Sequence, residues 1–151
     1  MTGEVMKDRF SDVAVGDTLP ERQHTPDNVQ LMLYNAALWN GHRIHFDEPY
    51  TKDVEGYPGL VIAGPLLGDW LHQTLTEWLG DDGQIISIEY SNRIASYIGE
   101  TLSCGGKVLA VDEQERLVDV EVYVRNEAND VITPGRAMVR FDKVNKVADN
   151  A

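Results

Sequence analysis

The segment from Gly64 to Leu79 constrains the fold more than any other part of the sequence. Its large apolar residues recur at helical spacing, and they are Leu67, Trp70, Leu71, Leu75 and Trp78. Gly64-Pro65 precedes this stripe and Gly80 follows it, and both are typical boundaries of a helix. The pattern therefore predicts one long helix whose broad apolar face must be covered by another layer of structure.

The chain after this helix is patterned as β-strands. Strand patterns occupy residues 85–90, 102–111, 118–124 and 137–141. The clearest lies at 118–124, where four valines alternate with polar or aromatic residues in the period-two pattern of a half-buried strand. Helices early in the chain and an antiparallel meander later predict an α+β fold, with the sheet wrapped around helix 64–79.

The remaining segments add detail to this architecture. Thr25 is a good N-cap and Pro26 suits a first helical position, which predicts a helix from Pro26 to about Trp39. The Gly105-Gly106 pair is interpreted as a bulge in a strand, because no helix follows it. We expect residues 1–151 to form a single domain, with loosely ordered tails at 1–9 and 143–151.

Composition excludes several classes of function. The 151 residues carry a formal charge of −12, which argues against binding to nucleic acid or to an anionic membrane surface. The single cysteine, Cys104, cannot form an internal disulfide. There is no signal-peptide pattern at the amino terminus and no apolar run long enough to span a membrane, so we expect a cytoplasmic protein.

Residues 40–47 bring chemically active side chains together. This stretch, Asn40-Gly41-His42-Arg43-Ile44-His45-Phe46-Asp47, directly follows the first predicted helix. Loops on a rigid scaffold often carry catalytic groups, and histidine is the side chain best suited to move protons near neutral pH. A metal site is disfavoured, because no cysteine is near and Asp47 is the only close carboxylate.

The surrounding motifs resemble a known family. Residues 40–47, Glu55-Gly56-Tyr57-Pro58-Gly59-Leu60-Val61 and Gly64-Pro65-Leu66 are similar to motifs of the MaoC-like acyl dehydratases of the hot-dog fold. Within that family the resemblance is strongest to the mesaconyl- and methylfumaryl-CoA hydratases and the mitochondrial 3-hydroxyacyl-thioester dehydratases. It extends to residues 15–20 and 97–102. The resemblance implies reversible hydration of a 2-enoyl thioester by paired hot-dog domains, without a cofactor or a metal.

The resemblance also implies roles for individual residues. In the family motif G-D-x-N-P-x-H, the aspartate and the histidine hold and activate water. Here His45 takes the place of that histidine, Asn40 that of the aspartate and His42 that of the asparagine. An asparagine side chain cannot accept the proton, so we expect His45 to transfer it and Asn40 to orient the water or the substrate. His42 either assists or makes a structural hydrogen bond within the loop.

Substrate contacts are expected from four further positions. By resemblance, the backbone N–H of Gly64 at the helix start stabilises the thioester oxyanion, as free amide groups there can do. Ala63 stands where the family often has a histidine. Arg43 either bridges to an anionic group of the substrate or staples the loop to Asp47 or Glu48. Arg93 lies where the family contacts the thioester carrier, and it is alternatively an exposed surface residue without a role.

The partners implied are an acyl-CoA or acyl-carrier-protein thioester and a second hot-dog subunit, identical or paralogous. Because CoA is itself polyanionic, a chain of charge −12 needs local cations to bind it. The candidates are Arg43, Arg93, Lys107, Arg136 and Arg140. The acyl group is expected to be short, branched or dicarboxylic.

Two other functions compete with a hydratase. The chain is alternatively an inactive partner subunit of a heteromeric dehydratase, as the replacement of the family's aspartate by Asn40 suggests. A hot-dog thioesterase is the other alternative, and it would require an acidic residue on the long helix facing the thioester. Asp69 and Glu77 are the candidates for that acid.

Overall fold

The computed structural model describes residues 7–143 and contains three α-helices and five β-strands within them. The helices are α1 (Asn28–Ala37), α2 (Glu48–Asp53) and α3 (Gly64–Leu79). The strands are β1 (Arg22–His24), β2 (Gly83–Tyr90), β3 (Leu102–Asp112), β4 (Leu117–Arg125) and β5 (Val131–Phe141). Short 3-10 turns lie at Arg9–Asp12 and Arg43–His45.

The five strands form one antiparallel sheet in the order β1-β3-β4-β5-β2. In its centre, Val120 is paired with Val108 on β3 and with Ala137 on β5. The alternating valines of β4 are all fully buried, so one face of the strand lies in the core as the period-two pattern predicts. The α+β prediction is confirmed.

Helix α3 has the bounds that the sequence predicts, and it packs on β2, β3 and β4. Pro65 in its first turn removes no needed donor, because the first N–H groups of a helix have no partner within it. Trp70, Leu71 and Leu75 are buried against the sheet, while Trp78 is only partly buried. The concave face of the sheet therefore holds the long apolar helix that the sequence placed at the centre of the fold.

The start of the first helix was predicted wrongly. The N-cap of α1 is Asp27 rather than Thr25, and its carboxylate accepts a hydrogen bond from the Gln30 N–H at 2.8 Å. Thr25 instead exchanges a hydroxyl hydrogen bond with Thr101. The helix also ends at Ala37, before the predicted Trp39.

Two features of the sheet differ from the sequence interpretation. Strand β1 lies in a segment where we predicted no strand, and three residues are too few to show an alternating pattern. The Gly105-Gly106 pair is not a bulge, since both residues are in regular register with β4, and the register shift falls between Val108 and Ala110. Gly105 is required because a Cβ there would overlap the Tyr123 ring.

Most of the predicted tails, residues 1–6 and 144–151, lie outside the described residues. Of the amino-terminal tail, Asp8 accepts hydrogen bonds from both terminal nitrogens of Arg116, at 2.9 and 2.7 Å. Among residues 7–143, every helix is too short or too polar to cross a bilayer.

Candidate active site

The short extended segment before α3 connects the two sides of the candidate site. The Val61 N–H donates to the carbonyl of Ile44 at 2.9 Å, and the Val61 carbonyl lies 2.7 Å from Nδ1 of His45. On the other side, the Ile62 N–H donates to the carbonyl of Ser96 at 2.9 Å. Two residues later the chain enters α3. This segment therefore fixes three parts of the chain relative to one another. They are the 3-10 turn that ends at His45, the stretch that contains Ser96 and the start of α3.

The contact with Val61 determines the proton arrangement of His45. A carbonyl oxygen can only accept, so Nδ1 carries the proton and donates it to Val61. In the neutral ring Nε2 then has the free lone pair. Burial lowers the pKa of His45, the hydrogen bond to Val61 opposes that effect, and nearby His42 lowers the pKa further. His45 is therefore neutral at physiological pH, as a base that accepts a proton must be.

A pocket of about 280 Å³ lies between the His45 turn, the start of α3 and the chain after β2. Its lining is mostly apolar, with polar exceptions at His45, Asn92, Arg93 and Ser96. Gly64 completes the wall. Of the residues predicted from sequence, the pocket brings together His45, Gly64 and Arg93.

Gly64 begins a helix of 16 residues and faces the pocket. Pro65 has no N–H, and the Leu66 and Leu67 N–H groups donate to the Ala63 carbonyl, so within the described residues the Gly64 N–H is the unpaired donor of this turn. The helix dipole makes this end positive. A Cβ at Gly64 would overlap Nδ2 of Asn92, so the glycine lets that amide approach the helix start. Oδ1 of Asn92 accepts from the Thr133 hydroxyl at 3.0 Å, which directs its NH2 group toward Gly64. Hydrogen-bond donors therefore converge where an oxyanion would need them.

Asn40 lines a different pocket from the one that His45 lines. It lines a second pocket of about 410 Å³, which is largely apolar and lies beside Met32, Trp39 and Phe46. Its Oδ1 accepts from the His42 N–H at 3.1 Å, and its own N–H donates to the Asn35 carbonyl at 2.9 Å. Its observed contacts shape the loop that leads to His45.

The other predicted residues also lie outside the His45 pocket. His42 is exposed, and its ring meets that of His45 edge-on at 5.6 Å between centroids. Arg43 donates to Asp47 through two nitrogens, at 2.9 and 2.7 Å, and covers the Tyr50 ring at 3.9 Å. Ala63 is fully buried and caps α3 through its backbone only.

Of the five candidate cations, Arg93 and Arg136 line one cleft, and the other three do not line it. Arg43 is paired with Asp47 and Arg136 with Asp119. Lys107 and Arg140 lie on β3 and β5. Arg93 alone among the five candidates lines the His45 pocket, and it forms no ion pair within the described part of the chain.

The acids proposed for a thioesterase face elsewhere. Asp69 accepts a hydrogen bond from the Tyr34 hydroxyl at 2.6 Å, on the α1 side of the helix. Glu77 forms an ion pair with Arg22 of β1. Neither carboxylate lines the His45 pocket. Within residues 7–143, moreover, there is no group of three side chains suited to hold a metal ion.

Two residues of the pocket were missed by sequence analysis. Asn92 was considered only as the neighbour of Arg93, at the strand end where the family contacts the thioester carrier, and Ser96 was not considered. Their type carries no signal, because serine and asparagine are common on surfaces and in turns. The contact between Ile62 and Ser96 is long-range in sequence, and only the fold reveals it.

Comparisons with known proteins agree with the architecture. A family model described as hydroxyacyl-thioester dehydratase type 2 matches residues 7–99. The mesaconyl-C(4)-CoA hydratase of Chloroflexus aurantiacus is 50% identical over 46 residues, which are 30% of this chain and 16% of that protein. Matches to the curated relatives make up between 14% and 29% of their lengths.

Solved structures extend the similarity to most of the chain. A MaoC-like dehydratase superposes with a TM-score of 0.81 at 26% identity, over 88% of this chain and 42% of its own. A chain of the ChsH1-ChsH2 complex from Mycobacterium tuberculosis superposes with a TM-score of 0.76 at 22% identity, over 85% of this chain and 98% of its own. These similarities confirm the predicted hot-dog fold. Because the family model also matches more than half of the sequence, the chain belongs to the hydroxyacyl-thioester dehydratase type 2 family within the MaoC-like hot-dog proteins.

Proposed function

We propose that this chain catalyses the reversible addition of water to a 2-enoyl thioester, giving a 3-hydroxyacyl thioester. The observation that carries the proposal is the pairing of His45 with the start of α3 in one pocket. The first supplies a base with a defined free nitrogen, and the second supplies donors for a developing negative charge.

The residues divide the reaction between them. Nε2 of His45 takes a proton from water as the water oxygen bonds to C3 of the substrate. The electrons of the double bond move toward the thioester carbonyl, whose oxygen becomes negative and accepts a hydrogen bond from the Gly64 N–H. The imidazolium of His45 then returns a proton to C2, and the carbonyl re-forms. Dehydration runs through the same steps in reverse.

The position of Arg93 supports a substrate whose acyl group is attached to a phosphorylated thioester carrier. Arg93 lines the His45 pocket and a neighbouring cleft that also contains Ser91, Arg136 and the carboxylate of Glu89. We therefore propose CoA as the thioester carrier, with acyl carrier protein as the alternative. The same proposal includes a short, branched or dicarboxylic acyl group, a homodimeric assembly and a cytoplasmic location.

The test is direct. The purified chain alone is mixed with crotonyl-CoA and with a branched analogue, and the absorbance of the conjugated thioester is followed. The proposal requires that absorbance to fall without release of free thiol. Release of free CoA would instead support the thioesterase, and an unchanged spectrum with every enoyl thioester would contradict hydration by this chain alone.

A partner-subunit function is the second candidate. It is favoured by the structural similarity to a chain of a two-component complex and by the position of Asn40 outside the His45 pocket. It requires that the chain alone be inactive and that a paralogous hot-dog subunit restore hydration. In such a mixture, His45→Ala in this chain would leave the restored rate unchanged.

A further inference from the structure

The Ser96 side chain is buried without a hydrogen-bond partner. Only 1% of the residue is exposed, and its Oγ has no partner among the described residues. A buried hydroxyl that lacks a partner destabilises the fold relative to a satisfied one. Proteins retain such groups where a water or ligand satisfies them.

The position of Ser96 is fixed by the same segment that fixes His45. Its carbonyl accepts the Ile62 N–H, and its neighbour Tyr97 forms a β-bridge with Val61. The Val61 carbonyl in turn accepts Nδ1–H of His45. Ser96 and His45 thus lie on the two sides of one short extended segment, and both line the 280 Å³ pocket.

The other unpartnered buried polar atoms of the described chain lie in different surroundings. Nε of Arg22 and Nε2 of His24 belong to β1. Oδ1 of Asn35 belongs to a residue of the second, largely apolar pocket, which has no titratable side chain in its lining. Ser96 therefore differs from the other three in sharing a pocket with a candidate proton-transfer group.

We infer that the Ser96 hydroxyl orients the reacting water beside Nε2 of His45. This inference rests on the proposed hydration and adds a residue to it. A hydroxyl can accept and donate at once, and a held water requires about two to four polar partners. His45 offers one acceptor. Asn40 does not line this pocket, so Ser96 supplies the second partner.

The test compares Ser96→Ala with the wild-type chain in the crotonyl-CoA assay. We expect kcat to fall at least about tenfold, because each factor of ten corresponds to about 1.4 kcal/mol of lost transition-state stabilisation. KM should change by less than about twofold, because the substrate's own contacts remain. The melting temperature should change little, because the hydroxyl makes no hydrogen bond to another of the described residues.

Ser87→Ala is the matched control. It removes the hydroxyl of an exposed serine on β2 that does not line the His45 pocket, so kcat should stay near the wild-type value. An active wild type with an unchanged kcat in Ser96→Ala would overturn the inference alone. A drop in melting temperature that parallels the loss of activity would assign Ser96 a structural role and overturn it as well. A wild-type chain that hydrates no enoyl thioester would overturn the proposed function and this inference with it.

Discussion

Nδ1 of His45 lies 2.7 Å from the carbonyl oxygen of Val61. Val61 is three residues before Gly64, so this hydrogen bond links the candidate base to the start of α3. It also sets the tautomer, because the carbonyl can bind only a protonated Nδ1. A single backbone group thereby determines which nitrogen is free and how the ring is held beside the oxyanion donors.

His45→Ala should lower kcat for hydration by about 10²–10⁴-fold, the usual contribution of a positioned general base. His72→Ala is the control, because His72 is exposed on α3 and does not line the pocket. Circular dichroism should show both variants folded. Hydration at the wild-type rate in His45→Ala would remove His45 from the mechanism.

The pH dependence of kcat/KM should report the His45 environment. Burial lowers the pKa of His45, so the neutral base persists to lower pH than in a free histidine. The acidic limb of the hydration profile should therefore fall below pH of about 6.5, the ordinary value. An acidic limb above that pH would show that the free enzyme stabilises the protonated form of the His45 ring, which contradicts the effect expected from burial.

Gly64→Ala should reduce kcat strongly while the chain still folds. The new methyl would displace Asn92, an exposed side chain that can move away, but it would also occupy the approach to the helix-start donors. The backbone N–H of residue 64 is kept, so blocking its approach should cost at most the about 10²–10³ in kcat that loss of one oxyanion donor costs. Gly59→Ala is the matched control, since a Cβ there meets no other atom.

Combining Gly64→Ala with Asn92→Ala separates crowding from catalysis. Removing the Asn92 amide relieves the overlap but leaves the buried Thr133 hydroxyl without its acceptor, so the melting temperature of the double variant should match that of Asn92→Ala alone. Its kcat should stay low, because the methyl still blocks the pocket and one donor is gone. Recovery of kcat in the double variant would show that the single variant acted only through the displaced Asn92.

The sequence predicted the parts of this structure that repeat a strong local pattern. Helix α3 and the β4 valines were predicted correctly because periodic burial leaves a direct trace in residue order. The start of α1 was not, because Thr25 and Asp27 are both good N-caps and only tertiary contacts decide between them.

In the candidate site, too, residues in local motifs were predicted, and residues placed by long-range contacts were not. The motifs indicated His45 and Gly64, whose chemistry is expressed by residue type and position in a local motif. Ser96 could not be predicted, because its burial depends on the pairing of residues 60–62 with 96–98. The separation of Asn40 from His45 into two pockets also depends on the 3-10 turn between them, which no periodic pattern reveals.

Asn40→Asp and Asn40→Ala should differ sharply in activity. A carboxylate can still accept the His42 N–H, so Asn40→Asp should keep kcat within about threefold if the residue acts by shaping the loop. Asn40→Ala removes the acceptor and should lower kcat by about tenfold or more through misplacement of His45. Equal losses in both variants would instead indicate that the Asn40 amide itself contacts the substrate.

His24 should make the fold sensitive to acid independently of catalysis. Its ring stacks on Trp70 with centroids 4.2 Å apart, and its Nε2 is buried without a partner among the described residues. Burial, and then the positive charge of Arg22, lower the pKa of His24, while Glu77 partly offsets them. The unfolded chain therefore binds the proton more readily than the folded one.

The direction of the pH effect on folding stability follows from that difference. The stability that His24 contributes is present above the unfolded pKa of about 6.5 and is lost as pH falls through the lower folded value. His24→Phe keeps a ring on Trp70 and removes the titrating group, so its urea midpoint should fall less between pH of about 8 and about 5 than that of the wild type. Its hydration kcat at neutral pH should be unchanged, because His24 does not line the His45 pocket. The same acid-induced drop in midpoint in both proteins would show that His24 is protonated as easily in the folded chain as in the unfolded one.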